Sequence, residues 1–216
     1  MRSNLIIKFI VLGIIFSIIM NLVSKTIGQG GSQYTPQLES LFVIVLFFSF
    51  LIAGVVYGLM TYILIRFRAG SKSIRKQIQN ETRIELAWIL FAAIIVAILF
   101  ISSLPVTTSY LTDQDYDEEI LVVGYQYYFQ FYNKQTGNAT TNVVYLQVNK
   151  PYKLNLTSAD VIHSFYCHEL SIKLDMIPGR FNIIYLKVST PGSYAVHCAE
   201  YCGFGHYTME ASIIVS

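Results

Sequence analysis

Three long apolar runs open the chain. Leu5–Val23 is interrupted only by Lys8, Leu41–Ile65 is 25 residues without a charge, and Ile84–Leu104 is 21 residues with one, Glu85. The last two are each long enough to cross a hydrocarbon core of about 30 Å as a helix. The loop between them carries Arg66, Arg68, Lys72, Arg75, Lys76 and Arg83 against Glu81. The positive-inside rule makes that loop cytoplasmic, so both helices direct their other ends outward and everything after Pro105 lies outside. The first run, flanked by Arg2 and Lys8, fits a secretory signal peptide and equally a retained third helix with its N-terminus inside. The expected division is a signal peptide or extra helix over 1–30, a two-helix hairpin over 39–108 and a soluble domain over 113–216.

From Glu119 the pattern changes. Across Leu121–Tyr132, positions 123, 125, 127, 129 and 131 are Val, Tyr, Tyr, Phe and Phe, a period-two alternation that predicts a strand. Further strands are predicted at Val143–Val148, Tyr152–Leu156, Phe181–Val188 and Tyr207–Val215. Turn signals at Lys134–Asn142, Lys150-Pro151, Pro178-Gly179 and Pro191-Gly192 separate them. Strands at this spacing without a helical pattern indicate a β-sandwich or Greek-key barrel.

Composition sharpens this picture. The chain of 216 residues is 54% hydrophobic and 13% charged, a balance suited to a protein partly dissolved in lipid. Residues 1–112 hold 9 Lys and Arg against 3 Asp and Glu, and residues 113–216 hold 6 against 10. The outer domain is therefore mildly acidic, which suits a basic or weakly charged partner. No basic patch of nucleic-acid type is present.

All three cysteines and all four histidines fall between 163 and 206. Such clustering of soft ligands points to a metal. Cys202, His206 and Met209 follow a Cys-x3-His-x2-Met spacing that one strand-to-strand loop can wrap around an ion. With His163 from a neighbouring strand they complete a blue-copper set of two imidazoles, a thiolate and a weak thioether. Cys198 adds a second thiolate four residues before Cys202, which one copper does not need and two do. Two bridging sulfurs, one imidazole per metal and two weak axial ligands would hold a copper pair, and Glu200 is placed to offer its carbonyl as the second axial ligand. The ordinary alternatives are a Cys198–Cys202 disulfide, a core Met209 and a hydrogen-bonded core His163. Each is reasonable alone, and all three together at these spacings are the weaker reading. For Cys167, His168 and His197 the structural role is the better one.

The run Cys198-Ala-Glu-Tyr-Cys-Gly-Phe-Gly-His-Tyr-Thr-Met209 resembles the binuclear copper (CuA) motif of cytochrome c oxidase subunit II. Asp160-Val-Ile-His-Ser-Phe165 and Lys173-Leu-Asp-Met-Ile-Pro-Gly-Arg180 resemble upstream landmarks of that family. Arg83-Ile-Glu-Leu-Ala-Trp88 is similar to its Glu-x-x-Trp at the start of the second membrane helix, and Ile65-Arg-Phe-Arg68 sits where its first helix ends. The resemblance runs from about Glu39 to the C-terminus. It implies a cupredoxin Greek-key barrel on the outer face of an energy-transducing membrane, anchored by two or three helices; low charge and the absence of the usual entry tryptophan point to the plasma membrane of a prokaryote. A copper pair there would take electrons from an external donor, cytochrome c or another small redox protein. It would pass them to haem in subunit I, where oxygen is reduced to water and protons are translocated; further oxidase subunits complete the assembly. By the same resemblance Cys198 and Cys202 bridge the coppers, His163 and His206 bind one each, and Met209 and the Glu200 carbonyl are weak ligands. The Glu200 carboxylate would bind magnesium at the subunit I interface, and Glu85 would stand at the entrance of a proton channel.

The chain departs from the family at Gln126-Tyr-Tyr-Phe129, where a Gln-Trp-aromatic-Trp run is usual; Tyr127 stands at the electron-entry position, and Trp88 is the only tryptophan. Cys167 and His168 replace residues that are usually apolar and proline. Rival readings are a quinol oxidase subunit, which lacks these copper ligands, a membrane-tethered copper carrier or assembly protein, and a nitrous oxide or nitric oxide reductase with the same motif.

Overall fold

The computed structural model describes Ile19, Leu22, residues 31–67 and residues 82–216. The expected signal peptide or third helix, the basic loop and Asn80 lie largely outside these residues. Two units make up the chain, Ser40–Leu104 and the remainder.

The first unit is built from two helices, α1 (Thr35–Arg66) and α2 (Thr82–Leu111), of 32 and 30 residues. At 1.5 Å per residue these are about 48 and 45 Å long, more than a bilayer core requires. Pro36 falls in the first turn of α1, where a missing N–H costs nothing. Glu85 falls in the first turn of α2, where a negative charge meets the positive end of the helix dipole. Most apolar side chains between Phe42 and Leu104 are exposed, which suits contact with lipid or with partner helices. The helix does not stop at Pro105 but continues to Leu111.

The second unit is a β-sandwich of ten strands: β1 (Glu118–Tyr125), β2 (Tyr128–Asn133), β3 (Ala139–Thr141), β4 (Val143–Leu146), β5 (Pro151–Ser158), β6 (His163–Cys167), β7 (Ile172–Met176), β8 (Asn182–Lys187), β9 (Gly192–Cys198) and β10 (Glu210–Val215). One sheet has the order β3-β2-β1-β5-β8 and the other β4-β10-β9-β6-β7. β1 with β5 and β4 with β10 are parallel pairs between strands distant in sequence. Inward residues of both sheets form one core, with Phe165 of β6 edge-on to Phe129 of β2 at 5.6 Å between ring centroids. Each large side chain buried there contributes about 1.5–3 kcal/mol.

The expected strand Leu121–Tyr132 is two strands. They fold back at Gln126-Tyr127, with Tyr125 opposite Tyr128. Alternation runs straight through this two-residue turn, which contains none of the usual turn residues. The strand expected from Tyr207 starts at Glu210, because His206–Thr208 form a 3-10 turn. β3, β7 and β9 were not among the predicted strands, and β6 was expected only as the strand that carries His163. The unit also takes in residues before α1. Ser32 bridges to Val188, and Tyr34 is 1% exposed, its hydroxyl donating to Tyr185 O at 2.5 Å and its ring stacked on Tyr110 at 4.1 Å.

Candidate metal centre

β9 ends at Cys198 and β10 begins at Glu210, so the intervening loop holds Cys202, His206 and Met209, and with Cys198 at its edge four of the five sequence-predicted side-chain donors lie at one end of the sandwich. The loop is closed at its base: Cys198 N donates to Met209 O at 3.1 Å, and Ala199 N donates to Ser164 O at 3.1 Å. His163 opens β6, and two residues on Phe165 pairs with Cys198. This register carries the imidazole to the loop. His163 Nδ1 is 3.8 Å from Cys198 Sγ, and Cys198 Sγ is 3.9 Å from Cys202 Sγ. Cys202 Sγ is 3.5 Å from His206 Nδ1 and 4.0 Å from Met209 Sδ, while the Glu200 carbonyl is 3.3 Å from Cys198 Sγ. His163, both cysteines and Met209 are buried.

Behind these donors lies a supporting layer. Asp160 Oδ1 is 2.8 Å from His163 Nε2. A carboxylate only accepts, so Nε2 carries a proton and Nδ1 is the nitrogen turned toward the sulfurs. Asp160 Oδ2 in turn accepts the Gln126 N–H at 2.7 Å, and Gln126 Nε2 donates to Cys202 O at 2.6 Å. One turn residue thus ties the carboxylate behind His163 to the backbone of Cys202. Gly124 makes room for the imidazole: a β-carbon there would stand 2.9 Å from His163 Cδ2. The sequence signal for Asp160 was its position three residues before His163. Gln126 had none beyond its place in the aromatic run.

The β1–β2 turn also lays Tyr127 against the loop. A β-carbon on Gly205 would come within 2.7 Å of Tyr127 Cε2, so this glycine is what lets the ring pack flat there. Glu200 is exposed, its carbonyl turned to Cys198 and its carboxylate free of any hydrogen bond among the described residues. His197 faces away, with Nδ1 3.4 Å from Glu210 Oε1. His168 Nδ1 lies 3.1 Å from Tyr166 Oη, and Cys167 is a buried thiol whose burial pushes its pKa up to about 12. Neither joins the donor set. Glu85 belongs to the helical unit.

Burial raises the proton affinity of both loop thiols. At Cys198 it is outweighed by hydrogen bonding from the His163 ring, with smaller help from the Ser164 and Glu200 backbone, so this thiol lies below its ordinary value. At Cys202 burial is reinforced by the charge on Cys198, and the thiol is raised. Burial also works against a charged His163, yet its contacts with Cys198 and Asp160 prevail and raise it. The donor chemistry fits copper: two free thiols, two imidazole nitrogens and a thioether are a soft set. The sulfurs stand nearly twice a disulfide's ~2.05 Å apart, and metal–thiolate bonds of about 2.3 Å let both reach one ion.

Residues 26–106 match the family model of the cytochrome c oxidase subunit II transmembrane domain, and residues 135–216 match that of its periplasmic domain. Cytochrome c oxidase subunit 2 of Rhipicephalus sanguineus is 30% identical over 165 residues, covering 66% of this chain and 72% of that protein. The chain belongs to the cytochrome c oxidase subunit II family. The subunit 2 of Alkalihalophilus pseudofirmus is 31% identical over 173 residues, which cover 76% of this chain. The chain spans only 50% of that relative's length. Among solved structures, the periplasmic domain of subunit II from Bradyrhizobium japonicum is 28% identical with a TM-score of 0.47, covering 49% of this chain and 88% of that one. As a member of the subunit II family the chain is a membrane protein, with two apolar helices and a cupredoxin-like β-sandwich, and its family implies copper.

Proposed function

We propose that this chain is the electron-entry subunit of a respiratory haem-copper oxidase. The observation that carries the reading is the convergence of two thiols, two imidazoles and a thioether on one loop, in a chain of the subunit II family. His163, Cys198, Cys202, His206, Met209 and the Glu200 carbonyl hold two coppers. Bound copper supplies the one-electron redox chemistry that side chains lack.

The protein's own part is placement. Cys198 and Cys202 lie side by side as shared donors, with His163 next to the first sulfur and His206 next to the second. Met209 and the Glu200 carbonyl are the weak donors. Asp160 keeps the His163 ring in one tautomer. Burial of the donors excludes water, and the strands that flank the loop limit its rearrangement when charge changes. Tyr127, packed against the loop, is the aromatic contact through which electrons arrive from cytochrome c or another small redox protein. The exposed Glu200 carboxylate binds magnesium at the interface with subunit I, whose haems receive the electrons for reduction of oxygen to water. Glu85 stands at the entrance of a proton channel on the cytoplasmic side. The β-sandwich faces outward from a prokaryotic plasma membrane, a placement supported by the basic residues between the two helices.

A complete donor set argues against a quinol-oxidising relative, and its burial against a carrier that hands copper on. The test is purification of the complex from native membranes. Two coppers per chain, a spin-resonance signal from one unpaired electron shared by two copper nuclei, and oxygen uptake are expected. One copper with a simple four-line signal overturns the binuclear site. Nitric oxide reduction without oxygen uptake overturns the oxidase.

A further inference from the structure

The end of the β-sandwich that carries Asn138 has an open cleft of about 360 Å³, within the size range of small-ligand sites. Its wall includes Glu118, Asn133, Asn138, Thr140, Tyr145 and Gln147. Carboxamide, hydroxyl and carboxylate groups around an exposed aromatic ring form a surface suited to a sugar; Tyr145 is 64% exposed. Asn138 is the first residue of an Asn-Ala-Thr acceptor sequence. It ends the loop between β2 and β3, where its backbone is fixed because its carbonyl accepts the Asn133 N–H at 2.9 Å. Its side chain is exposed and makes no hydrogen bond among the described residues. A second acceptor sequence, Asn155-Leu-Thr157, lies in β5. There Asn155 is 8% exposed and its Nδ2 donates to Glu119 Oε1, so neither space nor a free amide is available.

We propose that Asn138 carries an N-linked glycan whose first sugar lies in this cleft over Tyr145, and that Asn155 stays bare. The inference rests on the outward placement of the domain argued above. In the step itself Asn138 Nδ2 attacks the anomeric carbon of a lipid-phosphate-activated oligosaccharide. The new C–N bond replaces the C–O bond to the lipid phosphate, which leaves with the electron pair. The amide proton passes to a base of the transferring enzyme.

The test uses the full chain from its native membrane. Trypsin cleavage after Lys153 separates the two sites into peptides 135–153 and 154–173. A sugar mass is expected on the first and none on the second. Asn138→Gln should abolish that mass and speed nitration of Tyr145 severalfold, because the ring loses its cover. Equal nitration in the two proteins overturns the seating in the cleft, and a glycan on Asn155 overturns the selection argued from burial. A bare Asn138 in a domain that external protease digests in intact cells overturns the glycan alone. Sugar on Asn80, the first residue of a third acceptor sequence, Asn80-Glu-Thr82, at the end of the basic loop, instead overturns the outward placement.

Discussion

Asp160 and Gln126 extend the metal centre beyond its donors. Removing the carboxylate frees the His163 ring to turn, and changes of this kind cost about 10–100-fold in metal affinity. Asp160→Ala should therefore release copper to a competing chelator at about 10–100-fold lower chelator concentration, with the spectrum of the remaining metal altered. Gln126→Ala keeps the backbone N–H that serves Asp160 and loses only the bond to Cys202 O, so its effect should be smaller, near the ~0.5–1.5 kcal/mol of one hydrogen bond. Met209→Leu would replace the weak thioether donor of the proposed copper site with an alkyl group of similar size. Both coppers should stay bound, and the shift should appear in the reduction potential measured by redox titration. The donors themselves were legible because the loop from Cys198 to Met209 is continuous in sequence. The supporting pair was not, because Gln126 meets its partners across 34 and 76 residues, a relation that only the folded sheets create.

Among the elements, hydrophobic periodicity located both helices and most of the long strands, but it passed over features that depend on contact. The segment before α1 gives no strand signal, yet it fills a gap in the β-sandwich with the Tyr34 ring. Tyr34→Ala should cost about 3–5 kcal/mol, as large aromatic deletions from a core do. Tyr34→Phe should cost about 0.5–1.5 kcal/mol for the bond to Tyr185 O; denaturant melts of the purified chain would measure both. Pro105 stands inside α2, where it removes one backbone hydrogen bond while the helix runs on to Leu111. At the start of β1, Glu118 is held below its ordinary 4.5 chiefly by the Lys150 ammonium, with Asn133 assisting, and Glu119 likewise by Lys134. A depressed carboxylate stabilises the fold above its unfolded pKa and loses that effect as pH falls through the folded value. The melting temperature should hold from pH 7 down to about 5 and drop further into acid. Glu118→Gln should melt lower at pH 7 and lose less between pH 7 and pH 3.5.

For the molecule as a whole, the contrast between apolar helices and a β-sandwich could be read from charge and hydropathy alone, since lipid and water each demand a different composition. Glu85 is the one charge within the two long apolar runs, and an ionisable group so placed is costly unless it is used. It also completes a Thr82-x-x-Glu85 spacing that suits a helix start. Glu85→Gln separates the two roles, because glutamine serves such a cap and cannot carry the proton. Reconstituted in vesicles with its partner subunits, the variant should take up protons more slowly during reduction of oxygen and leave the copper spectra unchanged. Wild-type turnover would reduce Glu85 to a helix cap.

The interior position of β10 imposes an order on biosynthesis. This strand follows every donor in the chain, yet it lies between β4 and β9 in its sheet, and its pairing closes the loop through Met209 O and Cys198 N. A nascent chain that has exposed both loop thiols but not yet Val215 has reactive sulfurs and no pocket to shield them. On the proposed reading, copper delivery would therefore follow synthesis of the whole domain. Until the metal arrives, the Cys198–Cys202 pair depends on the oxidation state of its surroundings to remain two thiols.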